Sequence, residues 1–194
     1  MSKPTDKREL IVAAARRLLE DTPLAGMRMR AVAAECGLAV SSLYDHFASK
    51  NDLLEAVWQA EADELIRRFE EALAVNQSGV GGLVAFGYVV FNDFAAYRRH
   101  RSRLLEFLSD DGSAERTREL LAQRQARLRG LLAEALVRAY PRLDGKRGVR
   151  LAELVLALTE GLVVGGLYEG YRTPPEELFG ELLGLFEGAD DEPA

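Results

Sequence analysis

The sequence predicts an all-α protein. A small helix-turn-helix head opens the chain, and a larger helical body of different character follows, for about nine helices in all. Three observations carry this. Apolar residues recur at spacings of three and four along most of the chain, with no sustained alternation of period two. Residues 29–50, Met-Arg-Ala-Val-Ala-Ala-Glu-Cys-Gly-Leu-Ala-Val-Ser-Ser-Leu-Tyr-Asp-His-Phe-Ala-Ser-Lys, spell two short helices around a glycine turn. Charge is divided unevenly: residues 1–50 balance at +2 and the rest at −8, giving the net −6 of the 194-residue chain. A mildly basic head on an acidic body suits a protein that touches a polyanion at one end.

The first helix is expected over Asp6–Glu20, with Leu10, Ile11, Ala14 and Leu18 on one face. Asp21-Thr-Pro-Leu-Ala-Gly26 breaks it, because proline and glycine both oppose continuation. A second helix covers Arg28–Glu35, with Met29, Val32 and Ala33 inward. Gly37 then supplies the positive φ that a helix C-terminus favours. The third runs from Ala39 to Asp45 or His46, and Leu38, Leu43 and Phe47 close the small core.

Ser49-Lys-Asn-Asp52 reads as a capping box opening a long fourth helix, Lys50–Val75, striped by Leu53, Leu54, Val57, Trp58, Leu65, Ile66, Phe69 and Leu73. A fifth, Gly82–Arg98, is apolar around most of its girth, which places it centrally. A short helix spans Arg101–Leu108 and a longer one reaches Ala139. Pro141–Gly148 reads as a basic loop, and Val149–Tyr171 as an apolar, glycine-studded helix. Thr173-Pro-Pro-Glu176 is a helix start, with threonine as cap and prolines in the first turn, and the last helix runs to about Glu187. The domains expected are 1–50 as the helix-turn-helix head, 51–188 as the body and 189–194 as a disordered tail.

Composition narrows the function. No run of 18 apolar residues is present, and the N-terminus lacks the apolar stretch of a secretion signal, so a cytoplasmic protein without a membrane partner is expected. The single cysteine, Cys36, reads as a small buried hydrophobe sooner than a redox sensor. Two histidines and one cysteine leave little ligand supply for a metal, and no cofactor is expected. His100, flanked by Arg98, Arg99, Arg101 and Arg103, reads as part of a solvated basic stretch. There is no nucleophile–base pairing and no phosphate-cradling glycine loop, so an enzyme is not expected.

Residues 7–54 resemble the DNA-binding head of the tetracycline-repressor (TetR) family of bacterial transcription regulators. The resemblance rests on Val32-Ala33, Gly37-Leu38, Leu43-Tyr-Asp-His-Phe47, Ser49-Lys50 and Leu53-Leu54, all in register. It implies a dimer that binds a near-palindromic double-stranded DNA operator and releases it on meeting a small molecule. Two departures stand out. Met27 and Arg28 stand where a threonine commonly opens the second helix, and Ala39 replaces the serine cap of the third. Some phosphate-holding hydroxyls are thus missing, with Arg28 available to substitute by charge.

Site residues follow from the geometry of a recognition helix, whose N-terminal side chains meet base edges. Val40 fits a thymine methyl, Ser41 and Ser42 donate or accept, and Asp45 either accepts from cytosine N4 or is a solvated surface charge. Tyr44 and His46 resemble the family's phosphate-contacting pair, Arg30 resembles a groove-edge residue, and Lys50 can hold a phosphate at the start of the fourth helix.

For the body, candidate ligand-lining residues are Trp58, Ile66 and Phe69 from the fourth helix, and Phe86, Tyr88, Phe91, Asn92, Phe94 and Tyr97 from the fifth. Leu104, Phe107 and Tyr168 join them from elsewhere. They line a cavity for an apolar or aromatic effector, or they fill a solid core. The dimer surface is expected on the last two helices: Leu151, Leu154, Val155, Leu158, Gly161, Leu162 and Gly165 on one, Leu178, Leu182, Leu185 and Phe186 on the other. Two other classes stay open: a DNA-binding protein whose body answers to a protein partner, and a helical small-molecule enzyme.

Overall fold

The structure is a computed structural model, and it describes residues 6–75, 84, 86, 87, 89, 104–108, 114–168 and 173–188. Every regular element among them is helical: α1 (Lys7–Asp21), a 3-10 turn (Leu24–Gly26), α2 (Met29–Cys36), α3 (Val40–Tyr44), α4 (Lys50–Val75), α5 (Ala114–Ala139), α6 (Gly145–Tyr168) and α7 (Pro175–Gly188). Residues 84, 86, 87, 89 and 104–108 are helical as well, which places helix within the two segments expected over 82–98 and 101–108. Most of residues 76–103 and the tail 189–194 lie outside the described residues.

Local chemistry explains the boundaries. Asp6 takes the N-cap of α1, its carboxylate accepting from the Arg8 backbone N–H at 3.1 Å. The buried face of α1 is Ile11, Val12, Ala14, Ala15 and Leu19. Leu10 and Leu18, expected on that face, are only partly buried, so the stripe is rotated from the one the spacing suggested. Pro23 turns the chain into the 3-10 segment, and α2 begins at Met29 after an extended Arg28. Gly37 takes φ 67° and ψ 30°, the left-handed conformation anticipated for it. The Leu38 N–H closes the turn on the Ala33 carbonyl at 2.9 Å.

The α3 helix is shorter than expected, five residues, with Ala39 giving no side-chain cap. The Ser49 hydroxyl accepts from the Asp52 N–H at 3.1 Å and so opens α4 as the capping pattern required.

The basic segment 141–148 is a loop only as far as Asp144. The Asp144 carboxylate accepts from the Arg147 N–H at 2.6 Å, and that cap starts α6 at Gly145, four residues earlier than the apolar stripe suggested. At α7 the Glu177 and Leu178 N–H groups close on the Pro174 carbonyl. The cap position therefore falls at Pro174 and not at Thr173.

Two compact units result. The first gathers Met1–Glu64 with Arg103–Gln123, and the second Leu65–Ser102 with Arg124–Ala194. Both α4 and α5 contribute to each, the division falling inside each of these two helices.

The core of the first unit joins Ile11, Ala14, Val32, Leu43, Phe47, Leu53, Val57 and Trp58, together with Leu104 and Phe107. Burying such side chains stabilises by about 1.5–3 kcal/mol each. In the second unit Phe69, Phe86, Leu132, Leu136, Ala152, Val155 and Phe179 form the centre. Phe86 stands edge-on to Phe69 with centroids 5.3 Å apart, and lies 5.9 Å from Phe179.

Candidate nucleic-acid interface

The α3 helix shows how a five-residue helix can be both anchored and available. Leu43 is fully buried and Phe47, just beyond the helix, is 2% exposed, so α3 is pinned from beneath. A rotation of about 100° per residue then carries Val40, Ser41 and Tyr44 outward. Val40 is 37% exposed, Tyr44 is 52% exposed, Ser41 is exposed and Ser42 half-buried. Half of the Tyr44 surface faces solvent, so Tyr44 is not a core aromatic. Phe47 is the core residue of the pair.

Asp45 caps the C-terminal end of α3, its N–H closing on the Ser41 carbonyl at 3.1 Å, with its side chain exposed. His46 is exposed too. It lines an open cleft of about 180 Å³ with Arg8, Phe47, Ala48, Asp52, Glu55, Ala56 and Gln59. Arg28 and Arg30, flanking the start of α2, are exposed.

Three cations counted in the basic head have other work. Arg17 pairs with Glu35 across α1 and α2 at 2.9 Å, and Arg16 pairs with Glu61 of α4 at 3.0 Å. These are largely solvated pairs, each contributing about 0–1 kcal/mol. The Lys50 ammonium donates to the Leu24 carbonyl at 2.7 Å, so the expected phosphate-holding lysine also ties α4 to the 3-10 turn. That carbonyl also accepts from the Met27 N–H at 3.3 Å, so the lysine adds a second, charged donor to it.

Arg8 was not singled out by the sequence. Its guanidinium lies over the Phe47 ring, 4.9 Å from the centroid, in the cleft that also holds His46. A cation on the first turn of α1 facing an aromatic at the end of the recognition segment was the available signal.

Cys36 behaves as a small hydrophobe. It is half-buried against the core, and its thiol donates to the Leu10 carbonyl at 3.9 Å. Burial pushes its pKa up; Arg17 opposes that shift and Glu35 adds to it. Among the described residues no group of three or more histidine, cysteine, aspartate and glutamate side chains could hold a metal, and no helix is long and apolar enough to cross a membrane.

The candidate ligand-lining residues that are described divide between the two units. Trp58, Leu104 and Phe107 pack in the core of the first unit, with the Trp58 and Phe107 rings 6.2 Å apart. Ile66, Phe69 and Phe86 belong to the core of the second. Trp58 and Phe69 share a face of α4, but three turns separate them, about 16 Å of helix. Tyr88, Phe91, Asn92, Phe94 and Tyr97 lie outside the described residues, as does the side chain of Tyr168.

The candidate dimer stripe on α6 divides as well. Val155 is 1% exposed, and Leu151 and Leu162 pack against the same core, so these three face the interior of their own subunit. Leu154 and Leu158, at 57% and 49% exposed, face outward with Gly161. Residues four apart stay on one helix face, whereas Leu154 and Val155 are about 100° apart. Gly165 and Leu178 are half-buried, and Leu182 packs on the core. The side chains of Leu185 and Phe186 lie outside the described residues.

A short capped turn and a helix anchored by Leu43 and Phe47 with its other face in solvent make up a helix-turn-helix, followed by further helices. Residues 11–57 match the family model of bacterial regulatory proteins, tetR family. That match lies within the head and the start of α4, and solved transcriptional regulators share the fold of the whole chain. The structure of a transcriptional regulator from Rhodococcus sp. Rha1 superposes with a TM-score of 0.76 at 20% identity, covering 97% of this chain and 100% of that one. The multidrug binding protein EbrR complexed with imidazole gives 0.64 at 24% identity, covering 93% and 94%. Its complex with malachite green gives 0.64 at 23%, covering 92% and 96%. In sequence the chain is 25% identical to the nucleoid occlusion factor SlmA of Marinomonas sp. over 187 residues, 93% of this chain and 92% of that protein.

Proposed function

We propose that this protein is a ligand-responsive transcriptional repressor of the cytoplasm. It binds a near-palindromic operator as a homodimer and leaves it when a small apolar or aromatic molecule occupies the body. The observation that carries the reading is the exposed α3 face of Val40, Ser41 and Tyr44 above a buried Leu43. In this reading residues 1–50 read DNA, and 51–188 bind effector and partner subunit.

Tyr44, His46, Arg28, Arg30 and Lys50 contact phosphates and groove edges, and Val40, Ser41, Ser42 and Asp45 meet bases. The outward Leu154, Leu158 and Gly161 of α6 meet their copies across a two-fold axis. The paired heads then meet successive major grooves about 34–36 Å apart.

The effector acts through α4, which supplies residues to both compact units. Binding biases the head only by the difference in effector affinity between the DNA-bound and released states. The chemistry of malachite green, a triaryl dye held by EbrR, supports an aromatic effector.

A second reading draws on the relatives. Two nucleoid occlusion factors match at 25% and 22% identity over 93% and 95% of the chain. They favour a protein that acts at the nucleoid, and so on DNA, without effector-released repression.

A gel-shift series with the DNA upstream of the chain's own coding sequence, over a range of salt, tests the first reading. Retarded DNA that triaryl dyes release supports it. Retarded DNA that small molecules leave unmoved favours the second reading. Absence of any retarded species at low salt overturns both.

A further inference from the structure

We propose that Arg8 is a phosphate-contacting residue of the DNA interface, positioned for that role by the ring of Phe47. The proposal rests on the DNA-binding reading above and extends it to a residue outside the helix-turn-helix.

Arg8 sits in the first turn of α1, where its backbone N–H is held by the Asp6 carboxylate at 3.1 Å. Its guanidinium lies 4.9 Å from the Phe47 centroid. Phe47 is itself immobilised: it is 2% exposed, and its N–H closes on the Leu43 carbonyl at 2.9 Å. Arg8 is therefore registered to the end of the recognition segment through a rigid core side chain, although the two are 39 positions apart in the chain.

Stacking matters because a free arginine has much rotamer freedom to lose. One already laid on an aromatic face loses less when it meets a phosphate. The remaining exposure of Arg8 leaves donors for that phosphate. His46, from the expected phosphate-contacting pair, lines the same cleft.

Asp52 and Glu55 line that cleft too, and Glu55 accepts from the Thr117 hydroxyl at 3.0 Å. Their carboxylates oppose a polyanion entering it. The contact is accordingly a single charge-assisted bond from Arg8, and its footprint is about one phosphate. Arg16, on the same helix, is the natural control, because Glu61 already holds it at 3.0 Å.

The test uses the full-length protein and a fluorescein-labelled duplex that the wild type selects from a random-sequence pool. Anisotropy titrations at several potassium chloride concentrations give the affinity and its salt slope. Arg8→Ala is expected to bind roughly tenfold more weakly. Its slope should shrink by about 0.9, the loss of one phosphate contact. Arg8→Lys, which keeps charge but not planar stacking, should fall between, and Phe47→Leu, folded by circular dichroism, should follow Arg8→Ala. The sequence selected should not change, since a phosphate contact carries no base preference. An Arg8→Ala protein with unaltered affinity and slope, or an Arg16→Ala protein with the same loss, overturns the assignment. A wild type that selects no duplex overturns the DNA-binding reading itself, and the role of Arg8 with it.

Discussion

The ammonium of Lys50 donates to the carbonyl of Leu24 at 2.7 Å, fastening the first residue of α4 to the 3-10 turn that precedes α2. The lysine that the TetR resemblance assigns to phosphate is thus also a strut of the head. Lys50→Ala is expected to lower stability by about 1–2 kcal/mol, since a buried carbonyl loses a charged donor. Urea denaturation followed by circular dichroism measures it. Lys50→Arg, able to reach the same carbonyl, should recover most of the loss. Unchanged stability in Lys50→Ala would show that the strut carries no weight.

The conformation of Gly37 makes a sharper prediction. Its φ is 67°, and an added Cβ would meet no atom within 4 Å, so only backbone strain opposes a side chain there. Gly37→Ala should cost about 1–2 kcal/mol, and Gly37→Asn clearly less, because asparagine tolerates the left-handed region. Thermal melts of the pair decide this by their order.

Tyr44 separates binding from folding. With 52% of the residue exposed, removal of its hydroxyl in Tyr44→Phe should leave the melting temperature within about 1 °C. Operator affinity should fall roughly fivefold, the value of one hydrogen bond. A drop in stability with affinity unchanged would return Tyr44 to the core.

Leu154 and Leu158 test the assembly. Both face outward on α6, so Leu154→Asp with Leu158→Asp should leave the subunit folded while sedimentation shifts from dimer toward monomer. By contrast Val155→Asp, placed in the core, should unfold the second unit. Double-aspartate protein that still sediments as a dimer would move the interface elsewhere.

Cys36 supplies a pH dependence. Burial raises its thiol pKa above the ordinary value; Arg17 opposes the shift and Glu35 adds to it. Below the ordinary thiol pKa both folded and unfolded chains are protonated, and the contribution to stability is fully present. As pH rises through that value the unfolded chain ionises first, and stability is lost. Alkylation by iodoacetamide at pH 7 should accordingly be slower for native than for unfolded protein. Equal rates would refute it.

Local rules settled much of this protein in advance. The Gly37 turn, the Ser49 cap of α4 and the end of α5 at Ala139 all depend on residues within a few positions of one another, so the sequence states them directly. It also carried the helix-turn-helix itself, where glycine, tyrosine and lysine stand in register. What it could not state was the azimuth of each helix. A stripe of leucines on α6 reads as one face in the sequence, yet packing turns Val155 inward and Leu154 outward, because one residue's step is about a quarter of a turn. Partners distant in the chain were likewise invisible: Lys50 with Leu24, Arg16 with Glu61, Arg8 with Phe47. Each depends on which helices are brought together, and that is decided by burial of the whole apolar surface at once, a property no local window contains.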